Sequence, residues 1–109
     1  MKTQQQWRPF VGTDVKGRSY TSIRPIRPSD PGQPPYALIT ASVTREAGTY
    51  HVEVFTYRFR EDGIVDTDTQ RRIESGLETN LLHARVRAEQ AVNRAWAELY
   101  VEHRQEVQA

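Results

Sequence analysis

The sequence contains no cysteine, and its 15 basic residues include only two lysines. Without thiols there is no disulfide framework, no zinc finger or ribbon, no iron–sulfur site and no thiol nucleophile. Charge of one sign is also lacking. The 15 Lys+Arg face 14 Asp+Glu, for a formal net charge of +1. Whole-molecule electrostatics therefore gives no argument for nucleic acid or for a membrane surface. No segment approaches the ~20 apolar residues of a membrane span. The opening Met1-Lys-Thr-Gln-Gln-Gln-Trp7 lacks the apolar stretch of a secretory signal, and no Asn-x-Ser/Thr sequon occurs. These absences fit a cytoplasmic protein, with no membrane partner expected.

What is present is unevenly spread. All six prolines precede residue 36. Residues 1–36 hold six basic and two acidic groups, a net of +4, and residues 37–109 hold nine and twelve, a net of −3. A basic, proline-rich N-terminal segment, residues 1–35, thus joins a mildly acidic body, residues 36–109. The total of 109 residues allows a single domain. Pro25, Pro28, Pro31 and Pro34 recur every third residue, the repeat of a polyproline II helix. That spacing suits a ligand for an aromatic groove. A stiff spacer between arm and core is the preferred reading, because the basic residue that usually flanks such a ligand is at neither standard offset.

The body begins as a sheet. Residues 36–44 alternate Ala37, Ile39, Ala41 and Val43 with Tyr36, Leu38, Thr40 and Ser42, the period of a strand. Residues 49–60 form a second strand, rich in β-branched and aromatic types. Glu61-Asp62-Gly63 signals a hairpin. A three-residue loop with Gly63 in the left-handed position pairs Phe59 with Val65, Arg58 with Asp66 and Glu53 with Arg71, so apolar meets apolar and charge meets countercharge. The second strand is apolar on both sides: Tyr50, Val52 and Val54 on one, Phe55, Tyr57 and Phe59 on the other. Either a bulge exchanges its faces or something covers the second face. The front, with Trp7, Phe10 and Val11, is the candidate cover, and residues 7–11 and 18–24 are candidate edge strands.

From Glu78 the period turns helical. Leu81, Ala84, Ala88, Ala91, Val92, Ala95 and Leu99 form one stripe, widened by Trp96 and Tyr100. Thr79 or Asn80 caps the start. A helix over residues 80–105 outruns a ten-residue strand, so its last turns should overhang the sheet. Arg85 with Glu89 and Arg94 with Glu98 stand at salt-bridge spacing.

Chemical motifs mostly fail on context. Gly12-Thr-Asp-Val-Lys-Gly17-Arg18-Ser19 approaches a phosphate loop, but Tyr20-Thr-Ser-Ile-Arg-Pro25 cannot open the helix that such a loop requires. Two glycines at a hairpin turn are the simpler reading. Asp66-Thr-Asp68-Thr-Gln70 begins like a calcium loop, yet Arg71 stands where glycine is required and Leu77 where glutamate is. His51, His83 and His103 lack metal-ligand spacing, and no nucleophile elbow occurs. No metal, cofactor or catalytic residue is expected. Phe55, Tyr57 and Phe59 have the spacing of base-stacking aromatics. Core beneath the helix is preferred for them, because large aromatics are mostly buried. Arg45, Arg58, Arg60, Arg71 and Arg72 offer a patch on the outer hairpin face, but interleaved carboxylates make it a mixed surface.

The expected fold is α+β: an antiparallel β-sheet of three to five strands with one long C-terminal α-helix packed across it. The expected function is a small non-catalytic protein-interaction or regulatory module, working as a homodimer or bound to a larger protein. Trp96, Tyr100 and Val101 are its candidate protein contacts. The alternative is a nucleic-acid-binding accessory protein, DNA or RNA being held by Arg8, Lys16, Arg18, Arg24 and Arg27, with a steep salt dependence.

Overall fold

A computed structural model of the chain describes residues 10–13, 18–26 and 35–108, with side chains described for 35–106. Five strands, β1 (Phe10–Thr13), β2 (Arg18–Ile26), β3 (Ala37–Glu46), β4 (Thr49–Phe59) and β5 (Val65–Glu78), are followed by one helix, α1 (Leu81–Gln108). The strands lie in chain order in one antiparallel sheet. The fold is α+β, as the patterning implies. Among the described residues no helix is long and apolar enough to cross a membrane. The front therefore contributes strands to the sheet itself. Gly12 pairs with Ser19 across the β1–β2 hairpin, so the phosphate-loop look-alike is flanked by two strands. Pro25 belongs to β2 and pairs with Leu38. The other three prolines of the repeat, with Trp7, lie outside the described residues.

The period-2 alternation of β3 decides where the core sits. Ala37, Ile39, Ala41 and Val43 are buried, and their neighbours in β4 on the same face are Val52 and Val54. Above them lie Ala84, Ala88, Ala91, Val92, Ala95 and Leu99 of α1. The short alanines let the helix approach the sheet closely, and the β-branched residues suit the pleated surface beneath. Phe55, Tyr57 and Phe59 hold the alternate positions of β4 and face away from the helix. This corrects the expectation that these aromatics are the core. Two apolar faces compete for one helix, and the smaller side chains win because they complement its alanine stripe. The β3–β4 register runs unbroken from Ala37↔Arg58 to Glu46↔Thr49, so no bulge exchanges the faces of β4.

The β3–β4 connection is a two-residue turn, Ala47-Gly48, with φ of 49° and 85°. Both central residues are left-handed, the type I′ geometry that matches strand twist. Ala47 carries a Cβ in a region that disfavours one. Ala47→Asn, whose side chain tolerates that region, should raise stability by about 1 kcal/mol. A thermal melt checks this as a rise of about 4–8 °C.

The β4–β5 loop has the expected three residues. Arg60 N donates to Ile64 O at 2.8 Å, Gly63 N to Arg60 O at 2.9 Å, and Gly63 has φ of 86°. Phe59↔Val65 and Arg58↔Asp66 pair as expected. Beyond them the register breaks. Thr56 meets Arg71, Phe55 meets Arg72, and Glu53 meets Ser75 instead of Arg71. Most of the extra length is at residues 67–70, opposite Tyr57. Local hydrogen bonds close this bulge: Asp68 N donates to Asp66 Oδ1 (3.0 Å), Thr69 Oγ1 donates to Asp66 O (2.6 Å), and Arg58 N donates to Thr69 Oγ1 (2.8 Å). Side chains of this type compete with ladder bonds for the backbone, which cross-strand pairing alone does not anticipate.

Asn80 is the helix cap, its Oδ1 accepting from His83 N at 3.1 Å. The 28 residues of α1 span about 42 Å at ~1.5 Å each. Its last turns do not simply overhang, because Glu102 pairs with Arg58 of β4, and Glu102 and Glu106 both lie within hydrogen-bond reach of Tyr36, just before β3. Arg94 reaches Glu74 of β5 (3.4 Å) in place of the Glu98 expected from its spacing.

Candidate functional site

Two regions carry chemistry beyond packing. The first is polar, where the end of α1 meets the start of β3 and the end of β4. Tyr36 precedes β3, and Arg58 lies on the helix side of β4, opposite Ala37. Arg58 forms an ion pair with Glu102, and its guanidinium lies 4.5 Å from the Tyr36 ring centroid. The Tyr36 hydroxyl lies 2.8 Å from Glu102 Oε2 and 3.0 Å from Glu106 Oε2. It has one proton, so it donates to one carboxylate at a time. The His103 ring lies 4.6 Å from the Tyr36 ring, and its buried Nδ1 has no hydrogen-bond partner.

Burial, then the hydrogen bonds to Glu102 and Glu106, pushes the Tyr36 phenol well above its ordinary range. Burial alone would raise the Glu102 carboxyl and lower the Arg58 guanidinium, but the hydrogen bonds and charges of the Tyr36–Arg58–Glu102 cluster together outweigh it. With Tyr36 donating and Arg71 nearby, Glu102 is held below the usual carboxylate range. A general acid or base works best with a pKa near the ambient pH. These shifts lead away from neutrality, toward a fixed hydrogen-bonded clamp on the helix end. Because the folded pKa of Glu102 is depressed from 4.5, its contribution is complete above about pH 4.5 and is lost as pH falls through the lower folded value. Glu102→Gln should therefore flatten the acid limb of the stability curve. Urea unfolding in steps below pH 4.5 measures this, and identical acid limbs for both proteins would contradict it.

The second region is the face of the sheet opposite α1. Leu38, Thr40, Ser42 and Thr44 of β3 alternate with the core row, and their β4 partners are Tyr57, Phe55, Glu53 and His51. β5 adds Val65 beside Phe59, Arg72 beside Phe55 and Leu77 beside His51. The aromatics are half-buried, and Leu77 is 63% exposed. Gln70, carried in by the bulge, donates from Nε2 to the Tyr57 hydroxyl at 2.7 Å. Charge on this face is balanced, since Glu53 lies 3.8 Å from Arg72 and 4.0 Å from His51. The arginines weighed as a hairpin patch do not share one face: Arg72 is on the open face, whereas Arg58 is engaged under α1 and Arg60 is paired with Asp62 in the loop (2.7 Å).

The residues singled out in the sequence are scattered. Trp96 packs at the edge of the core and stacks on Tyr100 at 5.1 Å, and Arg104 lies over the Tyr100 ring. Tyr100 and Val101 are exposed. The buried Trp96 Nε1 has no hydrogen-bond partner. Arg18 and Arg24 are β2 residues paired with Thr13 and Ile39, and Arg8, Lys16 and Arg27 lie outside the described residues. Arg58 and Glu102 were missed as a pair, their separation of 44 positions leaving no local signal. No group of His, Asp and Glu able to hold a metal ion occurs among the described residues. Compared with known proteins, the chain matches no family model, no curated protein and no solved structure.

Proposed function

We propose that the chain is a small non-catalytic interaction module that works through its open sheet face, as a homodimer or bound to a larger protein. One observation supports this above the others. β4 presents Phe55, Tyr57 and Phe59 on the side of the sheet that α1 leaves uncovered, with Leu38 beside Tyr57 and Val65 beside Phe59. Contiguous apolar surface rimmed by polar groups marks interaction sites, and aromatics dominate the energy of such contacts. The balanced charge of Glu53, His51 and Arg72 favours a protein surface over a polyanion. The bulge in β5 fits the same reading, since bulges re-aim side chains at functional edges. Crosslinking the full-length chain in its own cell extract, beside Phe59→Glu, tests the proposal. Wild-type adducts, to itself or to another protein, should be lost in the folded variant. An adduct pattern unchanged by Phe59→Glu would remove the open face as the interaction surface.

A further inference from the structure

Resting on that reading, we infer that the occupant of the open face is a second copy of the same chain, packed sheet against sheet with α1 on the outside of each copy. Area comes first. The strands comprise 4, 9, 10, 11 and 14 residues. At ~3.3 Å rise and ~4.8 Å strand spacing they present roughly 750 Å² per face. Two such faces bury roughly 1,500 Å², the size of a stable interface. Charge comes second. A two-fold interface sets one patch against itself, so a patch of single sign repels its copy. Here Glu53 and Arg72 put both signs on the same patch, and the apolar row Leu38, Phe55, Tyr57 and Phe59 lies alongside them. Third, the face is built as sandwich faces are: β2, β3, β4 and β5 have one side packed toward the helix, and among the described residues no second layer lies on the other side. The described part of the helix exterior is a poorer candidate. Its exposed apolar residues Leu82 and Val86 are separated from Tyr100 and Val101 by a polar stretch containing Glu89, Gln90, Asn93 and Arg94.

Sedimentation velocity of the full chain from 1 to 100 μM, with Phe59→Arg and Val101→Glu alongside, tests the inference. The expected result is a dimer that Phe59→Arg weakens at least tenfold and Val101→Glu leaves unchanged. If Phe59→Arg does not fold, nitroxide labels replace it. The chain has no cysteine, so Ser42→Cys and Gln90→Cys each provide a single thiol. Sheet-to-sheet pairing predicts a shorter label–label distance for position 42 than for position 90. The reverse order, or loss of the dimer in Val101→Glu, overturns the inference while leaving an interaction module in place. A monomer at 100 μM overturns it as well. In that case a Phe59-dependent adduct to another protein in the extract would sustain the broader reading. Binding of a fluorescent single-stranded oligonucleotide by the monomer, abolished by Phe55→Ala, would replace both with base stacking.

Discussion

Ile39→Ala should lower the free energy of unfolding by about 2–5 kcal/mol, and Phe55→Ala, in the adjoining strand, by about 1 kcal/mol. The contrast runs against side-chain size. Phe removes more apolar surface than Ile, and in a common core it would cost more. Ile39, however, is fully buried among the alanines of α1, where truncation leaves a cavity that the small neighbours cannot fill. Phe55 lies on the opposite face between Thr40 and Arg72, half-buried by its strand neighbours. Truncation there loses cross-strand contact but opens no enclosed void. Urea unfolding at submicromolar concentration, where copies are separated, gives both numbers. A larger loss for Phe55→Ala would place the aromatics in the core and move α1 to the other side of the sheet.

A second large effect is expected at Gly76, with a sign that depends on Arg87. The Arg87 guanidinium packs flat on the Gly76 backbone, in the space that a Cβ would fill. There it binds Glu74 Oε2 at 2.6 Å, Glu78 Oε2 at 3.0 Å and Ser75 O at 3.3 Å. These bonds join α1 to β5 and hold the guanidinium charge in place. Gly76→Val should displace Arg87 and lower stability by about 2 kcal/mol, mostly through the loss of this network. In an Arg87→Ala background the space is vacant. There the same substitution should be neutral or stabilising by up to about 1 kcal/mol, because valine suits a strand better than glycine. Denaturation of the four proteins of this cycle measures the coupling. Equal effects of Gly76→Val in both backgrounds would contradict the packing of Arg87 on residue 76.

These contrasts mark where local pattern informs and where it stops. The alternation Ala37–Val43, the Glu61-Asp62-Gly63 loop, the cap at Asn80 and the alanine stripe of α1 are local signals, and each element follows from them. The choice between the two apolar faces of β4 is not local. It depends on which face fits Ala84, Ala88 and Ala91, a complementarity between distant segments that strand periodicity does not contain. The bulge at 67–70 was hidden for a related reason: charge pairing favoured an unbroken register, whereas Asp66 and Thr69 satisfy the backbone within their own strand. Tyr36, Arg58, Glu102 and Glu106 come together only through the crossing of α1 over the sheet. Of the open face, the sequence already held the residues Phe55, Tyr57 and Phe59, but not the side on which they lie.

That side is the central claim, and two neighbouring thiols test it most directly. In Val54→Cys and Phe55→Cys each thiol is the only one in the protein. Labelling under native conditions at submicromolar concentration compares their accessibility. The thiol at position 55 should react freely with a small reagent, and that at position 54 only as fast as the chain unfolds. Fast labelling at 54 with protection at 55 would place α1 on the aromatic face and contradict the account.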